Sequence, residues 1–397
     1  MLARLITGHI CLHAAMAGMR MAAPLLALKQ GYSALAVGVL VALFSLTQVF
    51  LALPSGRFAD RNVLSRPISL AVTTSIAATL IAVFFPVFPV LCFSALVTGG
   101  ATGAASIALQ RQVGRSAEGS TELKRMFSWL AIGPAISNFL GPFSAGLLID
   151  HAGVEAGDTQ GFQAAFLLMT LLPLGTWLAV RGVRDVKVLM TTSQAAQGNA
   201  VELLRQPMMR RLILVNWCLS SCWDVHTFVV PILGHEHQMG ASVIGSILGA
   251  FAVAAAGIRV LMPLFAARLK EHVVVTGAMI VTCLLFAIYP FMQTPLSMGA
   301  CSVGLGMALG SVQPMIMSTL HQITPDDRQG EALGLRLMAM NASSVVMPML
   351  FGTVGAAVGL SLVFWAVAFT VGSGARSAWR LRAEHARHPV KDRRTFE

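Results

Sequence analysis

The sequence contains very few charged residues for its length. Charged side chains make up 11% of the 397 residues and hydrophobic ones 56%, whereas roughly 25% of an ordinary soluble protein is charged. A soluble core could not bury that much apolar surface, so the two or three soluble domains that the length would otherwise allow are excluded. The apolar stretches are continuous rather than alternating, which also excludes a membrane β-barrel.

Motifs of several chemical classes are also missing. There is no G-x-x-x-x-G-K-[ST] phosphate loop, which argues against an ATP-driven pump. No loop is long enough to hold a haem motif, a Cys/His cluster or a Ser-His-Asp series outside the membrane. We therefore expect no cofactor and no enzymatic activity, and a membrane receptor or enzyme is the remote alternative.

The six cysteines all lie inside apolar segments, where no disulfide is expected. Cys218 and Cys222 share a helix face, as do His9 and His13. Thiols in apolar helices are usually packing residues, and polar groups that line a cavity explain the two histidines better than a metal site does. We predict no metal.

Twelve apolar segments are long enough to cross a bilayer, which takes roughly 20 residues of helix. They predict an all-α polytopic membrane protein with twelve transmembrane helices. The segments lie at about 4–28, 33–55, 67–87, 89–110, 127–150, 161–181, 210–233, 241–266, 272–290, 295–320, 332–356 and 358–379.

Basic residues are confined to alternate connections between these segments. The connections on one side and both termini hold nearly all of the arginines and lysines, whereas the opposite side holds only Lys29. By the positive-inside rule, both termini are cytoplasmic, and we predict a multi-pass protein of a bacterial inner membrane. The net charge of +11 then reports topology and contact with anionic lipids, not nucleic acid.

The two halves of the chain are related by an internal repeat. Pro24 and Pro231, Gly38 and Gly245, and Arg61 and Arg268 are each 207 residues apart. The pair Pro142 and Gly146 matches Pro348 and Gly352 at a spacing of 206. One register across most of each half predicts two parallel six-helix bundles.

The longest polar segment lies between the two halves and sets the predicted domain boundaries. We expect an N-terminal bundle over 1–184, a cytoplasmic linker over 185–207, a C-terminal bundle over 208–382 and a basic cytoplasmic tail over 383–397.

A loop motif carries the most specific family resemblance. The segment "GRFADR" supplies Gly56, Ala59, Asp60 and Arg61, and Arg66 is a displaced cation. With twelve spans in two repeats, it resembles motif A of the major facilitator superfamily of secondary transporters. An acid at this position can bind a helix N-terminus or an arginine in one conformation only. An ordinary charged turn is the alternative.

A second stretch resembles the family's motif C, which is associated with antiporters. Gly141, Pro142 and Gly146 match it, whereas Ser137 and Ala145 replace glycines. Small residues permit close helix approach, and proline is expected to bend the span. The arginine that many proton-coupled drug exporters carry in the fourth span is missing.

Polar residues form matching stripes on the first and seventh spans. His9, His13, Arg20 and Pro24 share one helix face, and Asn216, Ser220, Thr227 and Pro231 occupy the same places 207 residues later. A cavity between the bundles would require such stripes. The fourth and tenth spans add further polar groups, namely Thr98, Thr102, Ser302 and Gln313.

Asp224 lies near the second stripe and is the predicted proton or counter-ion site, because ionisable residues inside a membrane are costly and usually functional. A permanent ion pair with Arg20 or Arg336 is the alternative. Arg20 would otherwise meet an anionic substrate group or Asp224 itself. We expect His226 to be a packing histidine, and Arg259 to extend its side chain to the cytoplasmic face.

These features predict a monomeric secondary transporter of a small molecule that works by alternating access. Proton-coupled efflux of an amphiphilic compound is the first choice, favoured by the partial motif C and by 21 methionines. Uptake or exchange of a small organic anion is the alternative, favoured by Arg20 and by the arginine missing from the fourth span.

Overall fold

The computed structural model describes residues 1–32, 34–152, 158–183, 200–237, 239, 241–358 and 360–385. This part of the chain contains helices and no strand. The helices are α1 Leu2–Lys29, α2 Ala34–Arg61, α3 Ser65–Phe84, α4 Phe88–Ser116, α5 Gly119–Leu130, α6 Ile132–His151, α7 Thr159–Val180, α8 Ala200–Leu203, α9 Pro207–Glu236, α10 Ala241–Phe265, α11 Glu271–Ile288, α12 Pro295–Ile323, α13 Gln329–Val358 and α14 Leu360–His385, with a 3-10 helix at Tyr289–Phe291. Much of the predicted linker and nearly all of the predicted tail lie outside the described residues.

The long helices confirm the predicted fold class. Among the described residues, nine helical segments are long and apolar enough to cross a membrane, with α5 and α6 together forming one of them. The long helices α9, α13 and α14 stand where the seventh, eleventh and twelfth spans are predicted. The order of the helices is consistent with twelve spans.

The fifth span is interrupted at Ala131, between α5 and α6. The sequence predicts one span over 127–150 that bends at Pro142, but α6 continues through Pro142 without a break. The interruption lies just before Pro134, which has no N–H to give to the carbonyl of Leu130 and disfavours helical geometry in the residue before it. Pro134 is tolerated because it stands in the first turn of α6.

The chain folds into two compact units, each built from several chain segments. Unit 1 comprises Met1–Ala117, Trp129–Ala196 and Asp326–Val345, and unit 2 comprises Glu118–Ser128, Gln197–Pro325 and Val346–Glu397. Unit 1 therefore contains the first half of α13, and unit 2 contains most of α5. The predicted bundle boundaries around the linker stay a prediction.

Equivalent helices make the main contacts within each unit. In unit 1, α2 packs on α4, and α3 packs on α4 and α7; in unit 2, α10 packs on α12, and α11 packs on α12 and α14. The pairs α2/α4 and α10/α12 occupy matching places in the sequence repeat.

Candidate functional site

The motif residue Asp60 lies at the end of α2 and is almost completely buried. Its Oδ1 accepts a hydrogen bond of 2.9 Å from Arg111 Nε, and its backbone carbonyl accepts one of 3.0 Å from Arg111 Nη2. The guanidinium of Arg115 approaches the same carboxylate oxygen at 4.0 Å. Both arginines project from α4, one helical turn apart, so α4 supplies the positive charge that stabilises the buried carboxylate.

The same carboxylate caps the first turn of α13. The backbone N–H of Gly330 donates to Oδ1 at 2.8 Å, and that of Glu331 donates to Oδ2 at 3.0 Å. The first N–H groups of a helix have no partner within the helix and carry its positive dipole end. Asp60 therefore acts as an N-cap supplied by a different helix.

Close backbone contact and two further arginines complete the Asp60 cluster, which we define as Asp60, Arg111, Arg115 and the Gly330–Glu331 turn. A Cβ at Gly56 would overlap the carbonyl of Gly330, and a Cβ at Gly330 would overlap that of Gly56. The Glu331 carboxylate, 5% exposed, accepts from Arg57 at 3.1 Å and from Arg328 at 2.7 Å. The Gly330–Glu331 turn is therefore held both by its backbone N–H groups and by the side chain of Glu331.

The cations of this cluster differ from those that the motif suggests. Arg61 and Arg66 are exposed, and Arg66 donates to the side chain of Asn62 at 3.0 Å. The sequence does not identify Arg111 and Arg115 as partners of Asp60, because an arginine at this end of a span also fits the positive-inside rule. Their i, i+4 spacing at the end of a span was the available signal.

A second cluster surrounds Glu271 in unit 2. Its Oε1 accepts from Ser318 Oγ and from Gln322 Nε2, both at 3.1 Å, and lies 3.7 Å from Lys124 Nζ. Lys124 also donates to the carbonyl of Leu269 at 2.7 Å. We call these residues the Glu271 cluster; no motif in the sequence marks Glu271 or Lys124 as part of it.

The polar stripe of α1 lies in unit 1, and its two histidines make different contacts. His9 is buried, and its Nε2 makes a hydrogen bond of 3.2 Å with Ser106 of α4. The ring of His13, 5.9 Å away from that of His9, meets it edge to face. Arg20 is exposed.

The predicted polar residues of α4 are buried in the same unit. The hydroxyls of Thr98 and Thr102 donate to carbonyls of their own helix, at 2.6 and 2.8 Å. Their predicted place in a transport cavity stays a prediction.

The stripe of α9 and the predicted Gln313 lie in unit 2. Asn216 is buried, Ser220, Asp224 and Gln313 are partly buried, and Thr227 is exposed. Because Arg20 and Asp224 belong to different units, their predicted pairing stays a prediction.

His226 packs in the interior of unit 2. Its Nε2 makes a hydrogen bond of 3.0 Å with Ser302, whose hydroxyl lies 2.9 Å from that of Tyr289. Its ring stacks on Phe251 with 4.2 Å between ring centres. Among the described residues, no group of three or more His, Cys, Asp or Glu side chains could hold a metal ion.

The residues that resemble motif C lie in α6, against α1. A Cβ at Gly141 would overlap the carbonyl of Ala14, so the two helix backbones touch at this point. A Cβ at Gly146 would meet only the end of Met21, at 3.6 Å. Gly141 is therefore required by close packing, whereas Gly146 leaves room for a side chain.

Solved structures with the same fold cover almost the whole chain. A bacterial homologue of the iron transporter ferroportin aligns with a TM-score of 0.75 at 16% identity, over 98% of this chain and 99% of its own. The human organic anion transporter MFSD10 (TETRAN) aligns with a TM-score of 0.78 at 14% identity, over 95% of this chain and 98% of its own. The fucose transporter FucP of E. coli aligns with a TM-score of 0.77 at 13% identity, over 95% of this chain and 98% of its own. At these identities the likeness concerns the fold.

The family is shown by the sequence itself. No curated protein matches the chain. The family model of the Major Facilitator Superfamily, however, matches residues 5–300 and again residues 212–396. Together these matches cover nearly the full length of the chain. The chain is a multi-pass membrane transporter of small molecules and belongs to the Major Facilitator Superfamily.

Proposed function

We propose that the protein is a secondary active transporter that works by alternating access, with the Asp60 cluster as a releasable latch at the predicted cytoplasmic face. The observation that carries this proposal is the double hydrogen bond from Gly330 and Glu331 to Asp60. It joins α2 and α4 of the first six spans to α13 of the last six. In this proposal the protein is a monomer of a bacterial inner membrane with both termini in the cytoplasm.

The chemistry of the latch suits repeated opening and closing. Hydrogen bonds to a charged group contribute about 1.5–3 kcal/mol each, so the two bonds to α13 hold the closed state by a few kcal/mol. When α13 moves away, the carboxylate keeps its bonds to Arg111 and is not left without a counter-charge. The N–H groups of the α13 turn must then find water, whereas Glu331 loses Arg57 but keeps its contact with Arg328. The opening step therefore has a modest cost.

Proton coupling is proposed to reside at Asp224. This acid is partly buried in α9, on the polar side of a membrane helix. A carboxyl group in such a place can bind and release a proton during the cycle, and a proton moving down the membrane potential supplies about 2.3 kcal/mol per 100 mV.

The proposed direction is export of an amphiphilic compound in exchange for protons. The close contact of Gly141 with α1 supports it, because this position belongs to the motif associated with antiporters. Uptake or exchange of a small organic anion is the second candidate, and the cationic residue Arg20 in α1, which is exposed, favours it. The same fold serves a human organic anion transporter and a fucose:proton symporter.

The substrate is found by a growth screen and then tested in liposomes. A strain that lacks the gene is compared with its parent on toxic compounds and on single carbon sources. A compound identified in this way should move into proteoliposomes, and an imposed pH gradient should drive its accumulation. An ionophore that collapses the gradient should abolish accumulation but not exchange. Accumulation that does not depend on the pH gradient would contradict proton coupling.

Replacing Asp224 separates coupling from structure. Asp224→Asn keeps the size of the side chain and removes the proton site, so gradient-driven transport should vanish while exchange of labelled for unlabelled substrate persists. If Asp224 is instead the permanent partner of an arginine, the change leaves a buried cation unpaired, and thermal stability and exchange should fall together. Gradient-driven transport at the unmodified rate would contradict both interpretations.

A further inference from the structure

Arg259 lies in α10 with only 7% of its surface exposed. Its Nε donates to the carbonyl of Gly310 in α12 at 3.3 Å, and its guanidinium carbon lies 5.6 Å from the ring centre of Trp223 in α9. The prediction that this side chain extends to the cytoplasmic face is therefore wrong. The head group instead lies among three helices of unit 2.

A guanidinium in this position is expensive. Placing a charged guanidinium inside a bilayer is costly, and arginines at such depth usually mark a path for a substrate or an ion. A cation–π contact and a carbonyl hydrogen bond offset part of the cost. They also hold the planar group in one orientation.

Trp223 connects this cation to the polar stripe of α9. At about 100° per residue, Asn216, Ser220, Trp223 and Thr227 lie within about 60° of one another on the helix surface. Trp223 is partly exposed and is packed edge to face against Phe251, with ring centres 4.6 Å apart. The ring that steadies Arg259 thus belongs to the face proposed to line the transport path.

We propose that Arg259, oriented by Trp223 and the Gly310 carbonyl, binds the carboxylate of an organic anion carried by this protein. A guanidinium presents a planar fork of N–H donors that matches a carboxylate in a two-point contact, which an ammonium group does not. The close contact between α10 and α12, where a Cβ on Gly310 would lie 2.7 Å from the Cα of Ala255, fixes the position of the fork. This inference rests on the second candidate function, transport of a small organic anion, and names the residue that binds the anion.

The test uses three probes with one ring system and different charge, namely 2-naphthoate, 2-naphthamide and 2-naphthylmethylammonium. Each is added to the purified full-length protein in detergent, and the thermal unfolding midpoint is measured over a range of concentrations. We expect 2-naphthoate to raise the midpoint more than the other two. A midpoint unaffected by 2-naphthoate, or raised equally by the amide, would overturn the proposal.

Variants assign the effect to the site. Arg259→Met should weaken the apparent affinity for 2-naphthoate at least tenfold, and Arg259→Lys should weaken it several-fold although the charge is kept. Trp223→Phe, which retains a ring, provides a second test if the methionine variant does not fold. A naphthoate shift of unchanged size in both Arg259→Met and Trp223→Phe would refute the assignment.

The chain offers a matched control at Arg181, whose guanidinium carbon lies 5.2 Å from the ring centre of Trp177 but whose side chain is exposed. Arg181→Met should leave naphthoate binding unchanged. Because binding in detergent needs no gradient, a protein that binds the anion but does not transport it would refute the transport function and leave the site intact.

Discussion

The Asp60 cluster and the Glu271 cluster use equivalent positions of α4 and α12, although Asp60 lies at the end of α2 and Glu271 at the start of α11. Arg111 and Arg115 of α4 correspond to Ser318 and Gln322 of α12, each 207 residues later. In both clusters the side chains at these two positions contact a carboxylate. The same carboxylate also contacts the equivalent helix of the other half of the chain, which is α13 for Asp60 and α5 for Glu271. By the parity of the crossings, both are predicted to lie at the cytoplasmic face.

The chemistry of the two clusters has diverged on this shared scaffold. Asp60 binds a charged arginine and two N–H groups of a helix terminus, and its side chain is 7% exposed. Glu271 is 18% exposed, receives two neutral donors, and lies 3.7 Å from the ammonium group of Lys124. Contacts to a buried charge are stronger than contacts to one that water screens. The comparison therefore predicts a strong latch at Asp60 and a weaker one at Glu271.

Removing the charge of Asp60 should have the largest effect. Asp60→Asn weakens at least two charge-assisted contacts, and a loss of about 1.4 kcal/mol already changes an equilibrium tenfold. Exchange in proteoliposomes should fall at least tenfold, and thermal stability should fall because Arg111 loses its buried counter-charge. Asp327→Asn is the control, since Asp327 is exposed near the same end of α13. Normal exchange by Asp60→Asn would mean that the motif is an ordinary charged turn.

Reversing the charges of the Glu271 cluster should have an intermediate effect. Lys124→Glu places two carboxylates together, and exchange should fall about threefold to fivefold. Adding Glu271→Lys should restore part of the rate, but not all, because a glutamate cannot donate to the Leu269 carbonyl as Lys124 does. Arg125→Glu, at an exposed neighbour, makes the same charge change without touching the cluster. If the double variant exchanges substrate no faster than Lys124→Glu, the Lys124–Glu271 ion pair does not contribute to the exchange rate.

The smallest effect is expected at the rim of the Asp60 cluster. Arg57 is 45% exposed, and its partner Glu331 keeps its contact with Arg328. An exposed ion pair contributes roughly 1 kcal/mol or less, so Arg57→Gln should change exchange less than twofold. A tenfold loss would show that the side chain of Glu331, rather than the backbone of its turn, holds the latch.

The fold could be predicted from the sequence because lipid imposes simple rules on it. Span length, basic loops and the 207-residue register are visible along the chain, and the motif around Asp60 is local. The partners of Asp60 are not local, since Arg111 is 51 residues away and Gly330 is 270. An arginine near the end of a span also fits the positive-inside rule, so its sequence position alone does not distinguish a buried partner from a topology signal.

The orientation of Arg259 illustrates a second limit. Its distance from the end of α10 permits either a side chain that extends to the membrane face or one turned inward, and the choice depends on the carbonyl of Gly310 and the ring of Trp223 on two other helices. The sequence predicts a bend at Pro142, whereas the break lies at Ala131, because the proline that interrupts the helix is Pro134.

The backbone contact between Gly56 and Gly330 has a mechanical consequence. Side chains at an interface can change rotamer and maintain contact while two helices slide, but two glycine backbones have no such adjustable atoms. Since hydrogen bonds weaken steeply beyond about 3.2 Å, a separation of roughly 1 Å at this point would break both bonds from α13 to Asp60 together. This end of the transporter should therefore switch between two discrete positions, like a catch that is either engaged or free, and a partly open intermediate should be sparsely populated.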